Sequence, residues 1–260
     1  MQLLKDYFII LISSKDIIQQ QGNNKMDSSL HKDIAYEELN GLITKKKIVE
    51  AAKGFFCLYG YTKSTIKMIT EKVGISIGSL AYHFKKKEDI VSYIMFQYIN
   101  KFYDEITALS TKKLTAFELH TYASIPYYIN LFCDGQTRAF YHELLLYGAP
   151  HLQSVSSSSI SSFDKQMFET FMEGVNPAGE SINQLQTSLT HQFCRAGRSH
   201  LIQAYLEGHY PGAPEIEVIN QASRILGLCM LYELDYVNEV IADAEAFYAK
   251  HPFEDIQLLK

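Results

Sequence analysis

Glycine breaks in a segment of helical periodicity constrain this chain more than any other sequence feature. From Leu42, apolar residues recur at steps of three and four and then stop at Gly60, which we expect in the left-handed region just after a helix. A second helix is predicted from Thr65 to about Val73, with Ser64 as its N-cap and a break at Gly74. The spacing therefore predicts short helices separated by tight turns.

A third, short helix follows after a turn of about three residues. Ser76 is placed to cap it, and it runs from Ile77 to about His83. Two short helices joined by a short turn that contains glycine are typical of a helix-turn-helix, whose second helix enters the major groove of DNA. We therefore predict a helix-turn-helix DNA-binding domain over residues 42–101.

The distribution of charge along the chain supports this prediction, although the total charge does not. The net charge of −5 over 260 residues argues weakly against a nucleic-acid partner. Residues 42–101, however, carry 11 Lys against four acidic side chains, a balance of +7, whereas residues 1–41 carry −2 and residues 102–260 carry −10. A basic segment on an acidic body indicates a polyanion-binding module. Charge alone leaves open the alternative of a solvated lysine face.

One ungapped stretch of about 45 residues has a specific order of small, aromatic and charged residues. Its members are Lys47 to Ala52, Phe56, Gly60-Tyr61, Ser64-Thr65, Ile69, Gly74 to Ser76, Gly78 to Leu80, His83-Phe84 and Lys87-Glu88. This order resembles the DNA-binding domain of the tetracycline-repressor (TetR) family. The resemblance implies an all-α fold, with an N-terminal three-helix helix-turn-helix domain joined to a larger helical C-terminal dimerisation and ligand-binding domain over residues 102–260.

Two positions depart from the family pattern. The family usually has a tyrosine associated with a phosphate contact where this chain has Ala81, so Tyr82 or His83 is expected to make that contact instead. The family often has a Ser-like cap where this chain has Lys86, although Glu88 and Asp89 still favour the start of the fourth helix electrostatically.

The candidate DNA contacts fall into two groups by residue type. Lysines and polar groups at a helix start suit phosphate oxygens, which they neutralise without reading sequence. This group comprises Lys46, Lys47, Lys63, Ser64, Thr65, Lys85, Lys86 and Lys87. Base reading is expected of Ser76, Ile77, Ser79 and Tyr82, with Gly78 allowing close approach of the backbone. For a single residue a structural role stays open, since Ser76 can simply cap and Ile77 can simply pack.

The acidic body continues the helical pattern. A long helix is expected around residues 90–106, and further helices at residues 113–132 (kinked by Pro126), 136–147, 163–172, 182–194 and 201–207. Loops are expected at residues 148–150, 154–162, 174–179 and 210–214. The longest uninterrupted pattern, residues 215–250, predicts one helix of about 35 residues.

A helix of that length is too long to bury its apolar stripe alone in a small domain, and the resemblance implies a two-fold dimer interface of C-terminal helices. We therefore predict a homodimer. Its candidate interface residues are Ile219, Ala222, Leu226, Cys229, Tyr236 and Val240, with Ile225, Leu228 and Leu231 as a second face. The alternative is that these residues form an intramolecular core.

The resemblance also implies a small-molecule effector in the body. Aromatic residues are abundant there, and aromatic-rich helical interiors can form apolar pockets with a few polar groups. An aromatic stripe at helical spacing is more often plain core, however. Neither the identity of an effector nor its contact residues follow from the sequence.

The sequence also indicates what the chain lacks. It has no nucleophile elbow, P-loop, H-E-x-x-H or dinucleotide fingerprint, so no catalytic site is expected. Its four cysteines and nine histidines are scattered, so no metal, cofactor or disulfide framework is predicted, and the location is expected to be the cytoplasm. The apolar run at residues 7–12 is too short to span a membrane. Residues 1–41 are expected to form a poorly ordered extension with at most one short helix.

Together these features predict a sequence-specific DNA-binding transcriptional regulator. The expected form is a homodimeric repressor that a small-molecule effector releases from its double-stranded DNA operator. The alternatives are a DNA-binding activator or architectural protein, and a helical enzyme without a recognisable catalytic motif.

Overall fold

The computed structural model describes residues 28–148, 184–230 and 232–260, and every regular element in these ranges is helical. The α-helices are α1 (Ser28–Lys63), α2 (Ile66–Val73), α3 (Ile77–His83), α4 (Lys87–Leu109), α5 (Ala116–Cys133), α6 (Gly135–Glu143), α7 (Gln184–Leu206), α8 (Glu215–Cys229) and α9 (Leu234–Lys250). A π-helical turn, Leu144–Gly148, extends α6. The all-α prediction is confirmed.

The chain divides into two units, residues 1–46 and residues 47–260. The described part of the first unit is helical from Ser28, so α1 begins well before Leu42, where the periodicity predicts its start. Residues 1–27 of the predicted extension lie outside the described residues. So do the predicted helix at 163–172 and the predicted loops at 154–162 and 174–179.

Local capping interactions set the boundaries of the first three helices. Gly60 interrupts α1 with φ 77° and ψ 179°, so its φ is positive as predicted, but its ψ is extended and not that of a left-handed helix. The N-cap of α2 is Thr65, whose side chain accepts a hydrogen bond from the Met68 N–H at 3.2 Å. This corrects the prediction that Ser64 caps this helix. Gly74 ends α2 in the left-handed region, with φ 76° and ψ 35°, as predicted.

The remaining cap of the helix-turn-helix is the predicted one. Ser76 Oγ accepts a hydrogen bond from the Ser79 N–H at 3.0 Å and so starts α3. The helices pack around a small apolar core whose members are fully or nearly fully buried: Ile48, Ala52, Phe56, Ile69, Leu80 and Phe84. Because these residues recur at helical spacing, the amphipathic pattern accounts for this part of the fold.

Helix α4 leads from the helix-turn-helix into the body. The Asp89 carboxylate accepts a hydrogen bond from the Lys86 N–H at 3.2 Å, so an acidic side chain in the first turn satisfies an otherwise unpaired donor. Further along α4, the Tyr98 hydroxyl donates to the Tyr127 carbonyl of α5 at 3.0 Å. The predicted long helix in this region is therefore present and packs on α5.

Helix α5 is the centre of the body, because α4, α6, α8 and α9 all pack against it. It is apolar on most of its faces, which is typical of a buried helix. Thr115 and Glu118 cap its start reciprocally, and Pro126 lies inside it as predicted. The C-terminal residues also pack on it, with the Asn130 side chain donating to the Phe253 and Ile256 carbonyls at 2.8 and 3.0 Å.

Two predictions for the C-terminal half were wrong. Helix α7 runs without a break through Gly197, where separate helices at 182–194 and 201–207 were expected. The single helix predicted over residues 215–250 is instead α8 and α9, which pack on each other across a short turn. Gly227 allows this packing, because a Cβ there would lie 2.6 Å from Val237 Cγ2 and 2.8 Å from Phe117 Cζ. The predicted loop at 210–214 is present.

No helix in the described parts of the chain is both long enough and apolar enough to cross a membrane.

Candidate nucleic-acid interface

The outer surface of α3 presents large apolar side chains to solvent. Tyr82 is 87% exposed and Ile77 is 60% exposed, although α3 has only seven residues. The Tyr82 ring meets the His83 ring edge-on at a centroid distance of 5.2 Å. Gly78 and Ala81 are exposed beside them. The residues predicted to read bases are therefore accessible to solvent, except that Ser79 is half-buried.

Two predicted contact residues also hold the helices in place. Thr65 and Ser76 use their hydroxyl oxygens to accept backbone hydrogen bonds at the starts of α2 and α3. Both residues are exposed, so their hydroxyl protons stay available to an acceptor such as a phosphate oxygen. Capping and phosphate contact are compatible at these positions.

Several lysines lie on α1 and in the turn between α3 and α4. Lys47, Lys63 and Lys85 are exposed, and Lys86 is half-buried. Lys46, in the first of the two units, is also exposed. The mobile ammonium group of an exposed lysine suits electrostatic contact with phosphates without a fixed geometry.

Lys87 and Ser64 bind backbone carbonyls within the protein. The prediction that Ser64 contacts phosphate is corrected because Ser64 is fully buried, whereas Lys87 is half-buried and its phosphate contact stays a prediction. The Lys87 ammonium donates hydrogen bonds to the carbonyls of Tyr61 and Ser64 at 2.7 and 3.0 Å and lies 4.0 Å from the centre of the Tyr61 ring. Burial lowers the pKa of Lys87, and the charges of Glu88 and Glu143 oppose that shift. Ser64 is fully buried and donates to the Gly60 carbonyl at 2.6 Å. Both residues stabilise the turn between α1 and α2.

A carboxylate from the body binds the same turn. Glu143, at the end of α6, accepts hydrogen bonds from the backbone N–H and the hydroxyl of Thr62 at 2.9 and 3.0 Å. The Phe140 ring stacks on Phe56 of α1 at 5.0 Å, and the Cys57 thiol donates to the Gln136 side chain at 3.0 Å. Sequence reasoning missed these residues, and no local signal marks Glu143 as the partner of a turn 81 residues away. The helix-turn-helix is thus joined to α6 by both polar and aromatic contacts.

The same helices match a known family. Residues 48–94 match the sequence model described as bacterial regulatory proteins, tetR family. This match extends from α1 into α4 and includes the whole exposed surface of α3. Residues 48–94 therefore form a DNA-binding domain of the TetR type. Among curated proteins, none matches the sequence significantly.

Two solved structures share the overall fold of this chain. A TetR transcriptional regulator from Rhodococcus sp. RHA1 is 13% identical with a TM-score of 0.51, and the match covers 74% of this chain and 97% of that chain. RolR in complex with the ligand resorcinol is 14% identical with a TM-score of 0.50, and the match covers 79% of this chain and 96% of that chain. At these identities the likeness shows the fold, a helix-turn-helix domain followed by a helical body.

The predicted dimer residues of the body differ in their exposure. Ile219, Ala222, Leu226 and Val240 are all at most 7% exposed in the single chain, where they pack in its own core. This burial favours the alternative of an intramolecular core for these four side chains. Cys229 and Tyr236 are half-buried. The large apolar side chains that α8 and α9 expose are Ile225 (48%), Leu228 (44%) and Leu234 (47%). Leu231 lies outside the described residues.

A polar cluster lies among the aromatic residues of the body. The His120 imidazole of α5 is 3.1 Å from the Arg198 guanidinium of α7 through Nε2 and 3.4 Å from the Tyr103 hydroxyl of α4 through Nδ1. Burial, assisted by the Arg198 charge, lowers the pKa of His120 to about 3. The imidazole is therefore neutral, accepting from Arg198 at Nε2 and carrying its proton on Nδ1.

Within residues 28–148, 184–230 and 232–260, no group of three or more His, Cys, Asp or Glu side chains is arranged to hold a metal ion.

Proposed function

We propose that this chain is a homodimeric transcriptional repressor that binds an operator through α3 and leaves it when a small molecule binds the body. The observation that carries the DNA-binding part is the exposure of Tyr82 and Ile77 on the second helix of the helix-turn-helix. A folded protein gains little from leaving two large apolar side chains in water on a seven-residue helix, whereas bases in a major groove would bury them.

The exposed residues divide the DNA contacts by task. Lys47, Lys63 and Lys85 would neutralise phosphates and fix the position of the domain. Ile77 and Tyr82 would contact base edges and thymine methyl groups. The remaining predicted contacts would serve either role: Lys46, Thr65, Ser76, Gly78, Ser79, His83, Lys86 and Lys87.

The salt dependence of DNA affinity tests this division. Each lost phosphate contact should reduce the slope of log affinity against log salt by about 0.9, so Lys63→Ala and Lys85→Ala should each flatten the slope. Lys113→Ala is the matched control, because Lys113 is an exposed lysine outside the helix-turn-helix and should leave the slope unchanged. Fluorescence anisotropy with a fragment from upstream of the coding region measures both quantities. Unchanged affinity and slope for both variants would contradict the proposed docking.

Loss of base reading has a different signature. Tyr82→Ala should weaken binding to the operator by about 1–3 kcal/mol while leaving binding to unrelated DNA and the salt slope nearly unchanged. An equal loss on both kinds of DNA would show that Tyr82 does not contribute to specificity.

The second copy would dock on the face formed by Ile225, Leu228 and Leu234. A helix-turn-helix reads one half-site, and two of them at a fixed spacing require a dimer. Three large apolar side chains exposed on the last two helices provide a surface that a second copy can bury. This face includes two members of the second face predicted from the sequence.

Light scattering after size exclusion tests the dimer. The unmodified chain should elute with twice the mass of one chain, and the double variant Ile225→Glu with Leu228→Glu should elute as a folded monomer. Leu109→Glu is the matched control, because Leu109 is similarly exposed, at 42%, but lies at the end of α4. A monomer at micromolar concentration for the unmodified chain would contradict the proposal.

The effector would bind in the body and act on the helix-turn-helix through α6. The polar cluster of His120, Arg198 and Tyr103 offers hydrogen bonds among aromatic side chains, which suits a small aromatic molecule with polar substituents. RolR, which shares the fold, holds resorcinol, a molecule of that kind. The hydrogen bonds of Glu143 to Thr62 would transmit a movement of α6 to the turn before α2.

Release assays separate this function from its alternatives. A repressor should lower transcription from the operator, and an effector should restore it, whereas an activator would raise transcription. An architectural protein would bind DNA without an effector response. Glu143→Gln should keep effector binding but weaken its effect on DNA affinity, because the coupling depends on the carboxylate. An unchanged response in this variant would exclude α6 as the route.

A further inference from the structure

The chain continues beyond α9 into a segment that packs into the protein without forming a helix. We call residues 251–260 the C-terminal segment. Four of its side chains are almost completely buried, at 8% exposure or less: Phe253, Ile256, Leu258 and Leu259. Segments after the last helix of a domain are usually poorly ordered unless contacts hold them. The burial of these four side chains shows that the C-terminal segment is held in place.

Helix α5 binds the first half of the C-terminal segment. The Asn130 side chain donates hydrogen bonds to the Phe253 and Ile256 carbonyls at 2.8 and 3.0 Å. The Phe253 ring also meets the Phe102 ring of α4 edge-on at a centroid distance of 6.0 Å. Phe253 has φ 55°, in the left-handed region that residues with a Cβ rarely adopt. Such a conformation persists only where the surrounding contacts fix it, so tertiary contacts set the path of this segment.

The second half of the C-terminal segment reaches the first helix of the DNA-binding domain. The Lys53 ammonium of α1 donates a hydrogen bond to the backbone oxygen of Lys260 at 3.1 Å. Leu258 and Leu259 also belong to the same apolar core as Ile48 of α1. The segment thus begins on the central helix of the body and ends on a helix of the DNA-binding domain. This connection is separate from the one that α6 makes.

We propose that the C-terminal segment is a strap that ties α1 to α5 and so fixes the helix-turn-helix in the position that operator binding requires. This inference rests on the proposed function, in which a dimer reads an operator only when its two α3 helices lie at a fixed spacing. Without the strap, other positions of the helix-turn-helix become populated, and the apparent operator affinity falls with the fraction that is competent to bind. Binding to unrelated DNA depends mainly on lysine charges and changes little.

Shortening two buried side chains tests the strap in the full chain. In the double variant Leu258→Ala with Leu259→Ala, hydrogen exchange in the α1 peptide 48–56 should become faster, and operator affinity measured by fluorescence anisotropy should fall by about tenfold or more. Affinity for unrelated DNA should stay nearly unchanged. Asp255→Ala is the matched control, because Asp255 is exposed in the same segment and should change operator affinity by less than about threefold. An equal loss on both kinds of DNA would indicate general unfolding and overturn the proposal.

A milder variant removes only the hydrogen bond to Lys260. Lys53→Met should raise the exchange rate in the α1 peptide by about three- to tenfold, whereas Lys53→Arg, which can still donate, should leave it unchanged. Burial lowers the pKa of Lys53, the charge of Glu50 opposes that shift, and the charge of Lys101 adds to it. Lys101→Met is therefore the matched control, because it removes a nearby, exposed positive charge without removing the bond.

The outcomes distinguish the strap from the proposed function. Unchanged α1 exchange in both the double leucine variant and Lys53→Met, or unchanged operator affinity in the double variant, would overturn the strap. Should the double variant fail to fold, the comparison of Lys53→Met with Lys101→Met decides. An unmodified chain that binds no operator would refute the proposed function, whereas exchange in α1 would still decide whether the segment holds this helix.

Discussion

Substitution of Gly60 by alanine tests the joint between the helix-turn-helix and the body. Gly60 has φ 77° and ψ 179°, a region that residues with a Cβ rarely adopt. An added Cβ would also lie 2.6 Å from Glu143 Oε1 and 3.0 Å from the carboxyl carbon of Glu143. The carboxylate must therefore move, and its two hydrogen bonds from Thr62 move with it.

The expected cost has two parts that a control can separate. Backbone strain at this φ and ψ costs about 1–3 kcal/mol, and disturbing the two carboxylate hydrogen bonds adds about 1.5–3 kcal/mol, because Thr62 is exposed and water compensates part of the loss. Gly60→Ala should thus destabilise the protein by about 2.5–6 kcal/mol. Gly74→Ala should cost only about 1–2 kcal/mol, because Gly74 has φ 76° but no atom within 4 Å of the added Cβ.

Urea unfolding followed by circular dichroism measures these differences. The decisive comparison repeats Gly60→Ala in a Glu143→Ala background, where the side chain that would clash is gone. The cost of the glycine substitution should fall there towards that of Gly74→Ala. If it stays the same in both backgrounds within about 0.5 kcal/mol, Glu143 does not contribute to the joint and the reasoning fails.

Three further predictions use the same unfolding measurement. Lys87→Met should destabilise the protein by about 1–3 kcal/mol because it leaves two carbonyls without their donor. Lys85→Met, at an exposed site, should change the stability by less than about 0.5 kcal/mol. Equal effects of the two substitutions would refute the structural role of Lys87. Gly227→Ala should destabilise the protein by about 1–3 kcal/mol or more, because the added Cβ overpacks the contact with Val237 and Phe117. Gly197→Ala, with nothing within 4 Å of the added Cβ, should leave the stability unchanged or raise it. An unchanged stability of Gly227→Ala would contradict the packing of α8. The lowered pKa of His120, about 3 against an ordinary 6.5, means that the unfolded chain binds the extra proton first as pH falls. Stability should therefore fall between pH 6.5 and 3 by up to about 1.4 kcal/mol per unit, and His120→Asn should reduce this slope; identical pH profiles would show that His120 is not held neutral.

Local signals predicted the helix-turn-helix well. Gly74 ends α2 and Ser76 caps α3 because capping depends on residues within one turn of the helix end. The prediction of Ser64 as the N-cap of α2 was wrong because two neighbouring residues can serve as that cap. Ser64 and Thr65 are both good N-caps, and burial of the Ser64 hydroxyl against the Gly60 carbonyl left Thr65 as the cap.

Signals over longer distances were less reliable. The break between α8 and α9 lies next to Glu233, the one polar residue in an otherwise regular apolar stripe, so a sequence signal existed. That signal was insufficient, because the turn also depends on Gly227 accepting Val237 and Phe117 side chains. In α7 the opposite error occurred, since residues 195–200 were left between two predicted helices. The helix in fact continues through Gly197, because a helix tolerates one glycine at a cost of about 1 kcal/mol.

The sequence by itself determined the helical class, the positions of α2 and α3, and the basic character of the segment that contains them, because periodicity, caps and charge are properties of neighbouring residues. Only the tertiary structure decided which polar groups are available. Lys85 and Lys87 are two residues apart and identical in type, yet Lys85 is exposed and Lys87 is bound to two carbonyls. The same holds for Glu143, which accepts two hydrogen bonds from Thr62. These pairings depend on how distant helices pack, and the energies of such contacts are not encoded in any local pattern.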